Sequence, residues 1–265
     1  MNKYDWNARD YAEHSTAQQE WARELIAKLH LQGSESILDI GCGDGKVTAE
    51  IATAVPNGSV LGVDNSRSMV ELAQKKYPVD KFPNLNFQLA DARNLAFKQQ
   101  FEIVFSNATL HWIRNHLPVL DGIYNSLLPG GRILLQMGGR GNAAAIIAVL
   151  KDVINTARWC PYFSGFEFPY GFHDAGDYKI WLKQAGFQSV WAELIAKDMT
   201  HMGQSKLIGW IRTTWLPYTQ RIPEMQREAF IEELAGSYIR KYPPDKDGII
   251  HVQMIRLEVE AAKTS

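Results

Sequence analysis

The sequence predicts an α/β protein in which a largely parallel β-sheet carries helices on both faces. Short apolar segments of strand length alternate with segments whose apolar residues recur at helical spacing over residues 37–137. Three glycines stand where the first strand of this series meets a helix, and acidic residues follow the second and third strands. Strands that alternate with helices require right-handed crossovers, so the sheet is predicted to be parallel.

The first predicted helix spans residues 15–30. Ser15 and Gln18 have the spacing of a capping box. Trp21 and Leu25 follow at a helical interval, so the helix has an apolar face that can pack on the sheet.

Five apolar runs of strand length follow this helix. Val47 and Ile51 mark the helix after the first strand, and Pro118 suits the first turn of the helix after the fourth. A Pro-Gly-Gly turn at residues 129–131 precedes the fifth strand. The five predicted strands cover residues 37–40, 59–63, 85–89, 101–105 and 132–137.

The remaining sequence is less regular. Helices are predicted at residues 143–159 and 177–185, and strands at residues 189–197 and 249–259. Residues 199–248 separate these two strands, a connection too long for a hairpin loop, and they contain two further helical patterns, at residues 204–215 and 223–240. We predict that this segment is a helical insert over the carboxyl ends of the strands that acts as a lid; a scaffolding insert or a dimer surface is the alternative.

The composition is that of an ordinary globular protein. Of its 265 residues, 46% are hydrophobic and 22% are charged, and the formal net charge is −1. A nucleic-acid partner would normally require a basic face or stripe, and the sequence has none. No apolar run approaches the roughly 20 residues that span a bilayer. Two cysteines form no disulfide framework, and residues 1–10 are too polar for a secretory signal. We therefore expect a cytoplasmic protein, with a monomer as the simplest assembly.

Residues 37–45 read Ile-Leu-Asp-Ile-Gly-Cys-Gly-Asp-Gly and are the most informative part of the chain. Glycine is used where the backbone turns sharply or touches a ligand, because it has no Cβ. A dinucleotide site would need Gly-x-Gly-x-x-Gly, but Lys46 occupies the last position of that pattern and the third glycine is Gly45. The spacing therefore favours a different ligand, and a tight turn without a ligand is the alternative.

This spacing resembles motif I of the class I S-adenosylmethionine-dependent methyltransferases, an acidic residue followed after one position by Gly-x-Gly-x-Gly. Asp39, Gly41, Gly43 and Gly45 stand at the matching positions. The resemblance implies a Rossmann-like sheet of seven strands with an antiparallel last strand, and S-adenosyl-L-methionine as cofactor, with no metal. It also implies that the loop lies against the methionyl part of the cofactor, and that Asp39 orients either the loop or the cofactor ammonium.

The end of the second strand offers a site for the ribose. In open α/β sheets, ligands bind beyond the carboxyl ends of the strands. Asp64 ends that strand and can accept hydrogen bonds from both ribose hydroxyls, with Asn65 beside it. Met69 lies one turn into the next helix and can pack on the adenine. The alternatives are a helix-capping Asp64 and a core Met69.

The ends of the third and fourth strands complete the predicted cofactor site. In related methyltransferases an acidic residue after the third strand binds the adenine amine, and the next backbone amide meets the ring; Asp91 and Ala92 match these positions. Asn107 follows the fourth strand, where the family often places backbone contacts to the cofactor. A simple turn residue is the alternative for Asp91.

Three segments narrow the resemblance. Residues 5–11 and 106–112 are similar to trans-aconitate methyltransferases, and the Leu-His-Trp run together with residues 221–223 is similar to the juvenile hormone acid methyltransferases. Both families esterify a carboxylate, so the resemblance implies a small-molecule carboxyl O-methyltransferase. A carboxylate has a pKa near ~4, so it is ionised at neutral pH and needs no general base.

The predicted acceptor site follows the fourth strand. His111 and Trp112 can donate hydrogen bonds to a carboxylate, and Trp112 can wall the pocket. Residues 1–31 form an N-terminal helical cap in these relatives, so Gln18 or Gln19 is a candidate for binding the acceptor and Tyr11 for covering the cofactor.

The identity of the acceptor is left open. Four arginines could serve a polycarboxylate, whereas the aromatic stretches at residues 159–172 and 210–218 suggest a larger apolar acid. N- or C-methylation of a small metabolite, and a non-catalytic cofactor-binding regulator, are the alternatives to carboxyl methylation. The arginines are Arg140, Arg158, Arg212 and Arg221.

Overall fold

The computed structural model describes residues 16–265, and for residues 16–20 it describes the backbone only. Nine helices in this part of the chain are α1 (Thr16–Lys28), α2 (Lys46–Ala54), α3 (Arg67–Lys76), α4 (Leu117–Ser126), α5 (Ala144–Ile154), α6 (Ala175–Gln184), α7 (Gly203–Thr214), α8 (Leu216–Thr219) and α9 (Glu224–Lys241). The strands are β1 (Ser36–Ile40), β2 (Ser59–Asp64), β3 (Leu85–Leu89), β4 (Phe101–Asn107), β5 (Leu127–Gly138), β6 (Gln188–Met202) and β7 (Ile249–Ala262). Short 3₁₀ turns occur at Ala92–Asn94, Leu110–Trp112 and Cys160–Phe163.

The seven strands form one sheet with the order β3-β2-β1-β4-β5-β7-β6. The pairs β1–β2, β1–β4, β2–β3 and β4–β5 are parallel, and β5–β7 is antiparallel. Leu38 of β1 pairs with Leu61 on one side and Val104 on the other. This topology confirms the predicted Rossmann-like fold with its antiparallel last strand.

Side chains alternate across the strands and create an apolar core on each face of the sheet. Leu38 and Val104 lie in the core that includes buried residues of α4 and α6. Ile37 and Phe105 lie in the core that includes buried residues of α1 and α2. Both faces of the central strands are therefore covered, as a parallel sheet requires.

The chain divides into two compact units. The first, which we call the sheet unit, consists of residues 17–140, 170–195 and 256–265. The second, which we call the helical unit, contains residues 141–169 and 196–255 among the residues beyond 16. The strands β6 and β7 each run from one unit into the other.

The helical unit has an aromatic interior. Trp159 is fully buried, packs edge-to-face on Phe230 of α9, and donates its indole N–H to Glu233 at 2.9 Å. Arg221 donates to the carbonyl oxygen of Tyr162 at 2.8 Å. These contacts join residues 141–169 to the segment between β6 and β7. The helical unit is therefore larger than the predicted insert at residues 199–248, because it also includes residues 141–169.

The helices and strands differ from the predicted bounds mainly after residue 140. The strand β6 continues to Met202, and α5 ends at Ile154, earlier than residue 159. Within residues 16–265, no helix has the length and apolar character to cross a membrane.

Candidate active site

The glycine loop joins β1 to α2 through three residues with positive φ. Gly41, Gly43 and Gly45 have φ values of 80°, 54° and 81°, a region that side chains with a Cβ rarely enter. The backbone N–H groups of Gly41 and Cys42 both donate to the carbonyl oxygen of Val63, at 2.7 and 3.0 Å. The loop is therefore anchored to the end of β2.

The surroundings of the three glycines differ. A Cβ on Gly41 would lie 2.1 Å from the Thr109 side chain, and a Cβ on Gly45 would lie 2.7 Å from the Phe87 ring. A Cβ on Gly43 would meet no described atom within 4 Å. Gly41 and Gly45 thus permit close packing inside the protein, whereas no described side chain covers the backbone of Gly43, so a ligand can approach it.

Asp39 lies under this loop and is only 2% exposed. Thr48 of α2 donates its hydroxyl to Asp39 Oδ2 at 2.7 Å, so the pair joins the two ends of the loop. Burial, opposed by the Thr48 hydrogen bond and reinforced by the charge of Asp64, raises the pKa of Asp39 to about 7. The contact supports the first of the two roles considered for Asp39, orientation of the loop.

Asp64 at the end of β2 faces the same loop. Its carboxylate accepts the N–H of Gly43 at 3.0 Å and the N–H of Ser66 at 2.8 Å. Burial raises its pKa, and the backbone hydrogen bonds from Ser66 and Gly43 oppose that rise. The structure therefore brings Asp64 and Gly43 together, while Asn65 is exposed and Met69, buried in α3, is 3% exposed.

Asp91 lies beyond β3 at the start of a 3₁₀ turn. Its Oδ1 accepts the N–H of Arg93 at 2.9 Å, and the Arg93 guanidinium forms an ion pair with the same carboxylate. Hydrogen bonding from the Arg93 side chain is the main cause that lowers the pKa of Asp91. Asp91 is therefore held ionised with Arg93 as its partner at both carboxylate oxygens, and Ala92 beside it is buried.

The segment after β4 has an unusual backbone. Ala108, next to Asn107, has φ of +55° and donates its N–H to the carbonyl oxygen of Gln136 at 2.8 Å. Thr109 then donates its hydroxyl to the carbonyl oxygen of Gly41, at 3.1 Å. The glycine loop and the segment after β4 are thus directly joined, a contact that sequence reasoning did not identify.

His111 is buried behind this segment within a group of aromatic rings. Its ring centroid lies 5.6 Å from Trp112, 6.1 Å from Tyr170 and 6.0 Å from Phe172. The N–H of Gly138 donates to His111 Nδ1 at 3.3 Å. Burial is the main cause that lowers the pKa of His111 well below its ordinary value, followed by the charge of Arg256.

His111 is therefore a neutral imidazole whose Nδ1 is an acceptor and whose proton resides on Nε2. The sequence predicted that His111 and Trp112 follow the fourth strand, as they do. It did not predict that Tyr170 and Phe172, whose rings stack at 5.2 Å, lie beside His111. The only hint of them was the aromatic composition of residues 160–172. Tyr11 lies outside the described residues, as do the side chains of Gln18 and Gln19, whose backbone forms the first turn of α1.

Comparisons with known proteins agree with this geometry. Residues 37–131 match the methyltransferase domain family. The chain is 27% identical over 267 residues to trans-aconitate 2-methyltransferase from Methylobacterium radiotolerans, an alignment that covers 98% of this chain and 99% of that protein.

Solved structures show the same fold at lower identity. The YcgJ protein from Bacillus subtilis has a TM-score of 0.62 and 16% identity over 93% of this chain and 99% of its own. Phosphoethanolamine N-methyltransferase 2 from Haemonchus contortus, solved with S-adenosylhomocysteine, has a TM-score of 0.63 and 18% identity over 97% of this chain and 57% of its own. The domain match, the full-length relative and the sheet order agree with one another and support a class I S-adenosylmethionine-dependent methyltransferase.

Proposed function

We propose that this methyltransferase transfers the methyl group of S-adenosyl-L-methionine to a carboxylate of a small molecule and releases a methyl ester. The carboxylate oxygen forms its bond to the methyl carbon as the sulfur–methyl bond breaks, and the bonding pair stays on sulfur. The acceptor is already an anion at neutral pH, so no proton has to be removed. The protein must position that oxygen and exclude water, and such orientation contributes on the order of 7–11 kcal/mol.

The residues at the carboxyl ends of β1 to β4 fit the cofactor. Open space over Gly43 leaves room for a ligand against bare backbone. Asp64 borders the same space and would accept the ribose hydroxyls, with Asn65 beside it. Asp91 would accept the adenine amine, with Ala92 against the ring. The remaining residues proposed for this site are Asp39, Gly41, Gly45, Met69 and Asn107. When bound, the cofactor supplies an electrophilic methyl group on a sulfonium.

The state of His111 is the observation that carries the proposal for a carboxylate. Its Nδ1 lone pair accepts the Gly138 N–H, so the group that it has left for an acceptor is the Nε2–H donor. A donor suits a carboxylate oxygen, whereas an amine or a carbon acid would need a base. Both ring nitrogens of His116, by contrast, are engaged, by Tyr178 and by the carbonyl oxygen of Ile113, so His116 offers no base to an acceptor. Trp112 would form the other wall of this acceptor site.

Two kinds of acid remain candidates, a trans-aconitate-like polycarboxylate and a more apolar acid. The full-length relative named above is a trans-aconitate 2-methyltransferase. The four arginines nominated for a polycarboxylate are, however, each engaged within their own unit. Arg140 pairs with Asp174 and Asp177, Arg158 with Glu233, and Arg212 with Glu228, while Arg221 binds backbone carbonyls. These contacts favour an acid with fewer carboxylates.

A methyl-transfer assay tests the proposal. The purified protein is incubated with methyl-labelled cofactor and with trans-aconitate, octanoate, phenylacetate or ethanolamine. We expect a labelled product from at least one acid that alkali hydrolyses to methanol, because methyl esters are alkali-labile. An alkali-stable product from the amine would instead indicate an N-methyltransferase, as in the Haemonchus neighbour. Saturable cofactor binding without any product would indicate a non-catalytic regulator.

A further inference from the structure

The helix α6 contributes two aromatic side chains to the segment that follows β4. Tyr178 and Trp181 lie three residues apart on α6, so they share one face of the helix. Tyr178 is fully buried, and its hydroxyl contacts Nδ1 of His116. Trp181 packs edge-to-face on His173, with ring centroids 4.8 Å apart, and the two histidines pack edge-to-face on each other at 4.4 Å. One face of α6 therefore packs on a pair of imidazoles.

The direction of each hydrogen bond around His116 follows from its partners. Nε2 lies 2.8 Å from the carbonyl oxygen of Ile113, which can only accept, so the proton is on Nε2. Burial is the main cause that lowers the pKa of His116 to about 4, so the ring is neutral at pH 7 and Nδ1 is an acceptor. Burial raises the pKa of Tyr178, so its hydroxyl keeps the proton that it donates to Nδ1. The sulfur of Met137, 3.1 Å from the same hydroxyl, is a weaker acceptor.

His173 makes the same kind of hydrogen bond one residue further along the chain. Its Nε2 lies 3.0 Å from the carbonyl oxygen of Arg114, so this imidazole also donates. The carbonyl groups of Ile113 and Arg114 directly follow the 3₁₀ turn Leu110–Trp112, which carries His111. Two neighbouring carbonyl groups beyond that turn are therefore fixed by imidazoles that pack on α6.

The other end of the 3₁₀ turn is bound to the glycine loop. Thr109 donates its hydroxyl to the carbonyl oxygen of Gly41 at 3.1 Å. Between the two ends, Gly171 donates its N–H to the carbonyl oxygen of His111 at 2.9 Å. A Cβ on Gly171 would lie 2.1 Å from the carbonyl oxygen of Ile113, so only glycine allows this approach. The turn is therefore held between the loop proposed for the cofactor and the histidine pair.

We propose that Tyr178 is a positioning residue for methyl transfer, which acts through His116 to fix the turn that presents His111 to the acceptor. This inference rests on the proposed carboxyl methylation and adds to it a residue that acts only through another side chain. Without the Tyr178 hydroxyl, Nδ1 of His116 is a buried acceptor without a donor, which is costly. The ring can then carry its proton on Nδ1 instead, and the carbonyl group of Ile113 loses its donor.

Loss of the Tyr178 hydroxyl should affect turnover more than binding. The acid still enters its site, but its carboxylate is aligned for attack less often once His111 is displaced. Tyr178→Phe should therefore lower kcat roughly 10- to 100-fold and change KM for the acid less than about 3-fold. Affinity for S-adenosylhomocysteine should equal that of wild type, because the bond between Asp64 and Gly43 is untouched.

The experiment measures kcat and KM of wild type and Tyr178→Phe with trans-aconitate, octanoate and phenylacetate, together with calorimetric affinity for S-adenosylhomocysteine. Tyr124→Phe is the matched control, because Tyr124 of α4 borders the same core as Tyr178 and packs on Phe187. The control should keep the wild-type kcat. If Tyr178→Phe loses affinity for S-adenosylhomocysteine in proportion to its turnover, its role is general to the fold and the proposal is wrong.

Variants of His116 test the same connection independently of the tyrosine. Glutamine carries a donor and an acceptor side by side, as the neutral imidazole does, so His116→Gln can keep both hydrogen bonds. His116→Leu keeps neither and should turn over more slowly than His116→Gln. Adding Tyr178→Phe to His116→Leu should lower kcat no further, because the two residues act as one unit. Equal kcat values for His116→Gln and His116→Leu would contradict the proposed role of these hydrogen bonds.

Failure of this inference is distinguishable from failure of the proposed function. If wild type esterifies an acid and Tyr178→Phe keeps the wild-type kcat, the positioning role is wrong and carboxyl methylation stands. If wild type esterifies none of the acids, the proposed function is contradicted, and the role of Tyr178 in that reaction falls with it.

Discussion

The Asp64 carboxylate fixes the glycine loop by accepting the N–H of Gly43. It also borders the space above Gly43 that no described side chain fills. The two hydrogen bonds that Asp64 accepts come from the backbone N–H groups of Gly43 and Ser66. The fold therefore sets the positions of these donors, and side-chain rotamers do not. A ribose can therefore bind to a carboxylate that is already oriented.

Asp64→Ala should weaken binding of S-adenosylhomocysteine by ~1–3 kcal/mol, because the hydrogen bonds to the ribose are lost. Titration calorimetry of the purified variant measures the change. Asp80→Ala, an exposed aspartate in the loop after α3, is the control and should bind like wild type. Equal affinities for all three proteins would show that Asp64 serves the loop alone.

Asp39 makes stability depend on pH in a defined direction. Its pKa is about 7 in the folded protein and near its ordinary value of 3.8 when the chain is unfolded. Between these values the native state binds more protons than the unfolded state, so the contribution of Asp39 to the free energy of unfolding falls as pH rises from 4 to 7.

Asp39→Asn should therefore gain stability relative to wild type as pH rises, by up to roughly 4 kcal/mol at pH 7. The amide can still accept the Thr48 hydroxyl, so the loop contact is kept. Urea denaturation at a series of pH values between 4.5 and 7.5 measures the difference, with Asp80→Asn as the reference for an exposed carboxylate. A difference that does not vary with pH would contradict the raised pKa.

At the scale of elements, the loop that joins β1 to α2 contains three glycines with different surroundings. The sequence predicted that all three were needed, because their spacing alone identifies the motif. It could not tell which glycine permits packing and which has no described side chain above it, because Phe87 in β3 and Thr109 after β4 are far from the loop in sequence.

Gly45→Ala and Gly43→Ala should separate these roles. Both substitutions place a Cβ at positive φ, so each carries a similar backbone cost of ~1–2 kcal/mol. Gly45→Ala also drives a Cβ into Phe87 and Ala73, so its melting temperature should fall further. Gly43→Ala should unfold at the higher temperature of the two but bind S-adenosylhomocysteine more weakly. Thermal unfolding and calorimetry on both variants test the pair, and equal loss of stability would contradict the distinction.

Local sequence pattern predicted the bounds of elements that pack on their neighbours in sequence. It did not predict the bounds of elements whose partners are distant in sequence. The strands β1 to β4 were predicted to within two residues because each alternates with a helix that covers it. The helix α5 was predicted to reach residue 159, but it ends at Ile154, and Trp159 turns inward to bond Glu233 of α9.

At the scale of the whole molecule, the described residues proposed for the cofactor and for the acceptor all lie in one of the two units. The glycine loop, both acidic strand ends and His111 belong to the sheet unit. The helical unit has its own buried aromatic interior around Trp159 and Phe230. Deleting residues 200–247 would remove the partners of α5, so a test of the helical unit must use the intact chain.

We propose that the insert at residues 199–248 is a lid that closes over bound ligands, with a scaffolding insert or a dimer surface as the alternative. Hydrogen–deuterium exchange of the intact protein tests this, since ligand-dependent ordering slows exchange of backbone amides. With S-adenosylhomocysteine and octanoate together, peptides from α7 and α9 should exchange more slowly than in the free protein. Octanoate alone should have less effect, because a lid that excludes water closes when the site is filled. Asp64→Ala with the same additions is the control and should exchange like the free protein. If exchange slows at the glycine loop but not in α7 or α9, the insert is not a lid.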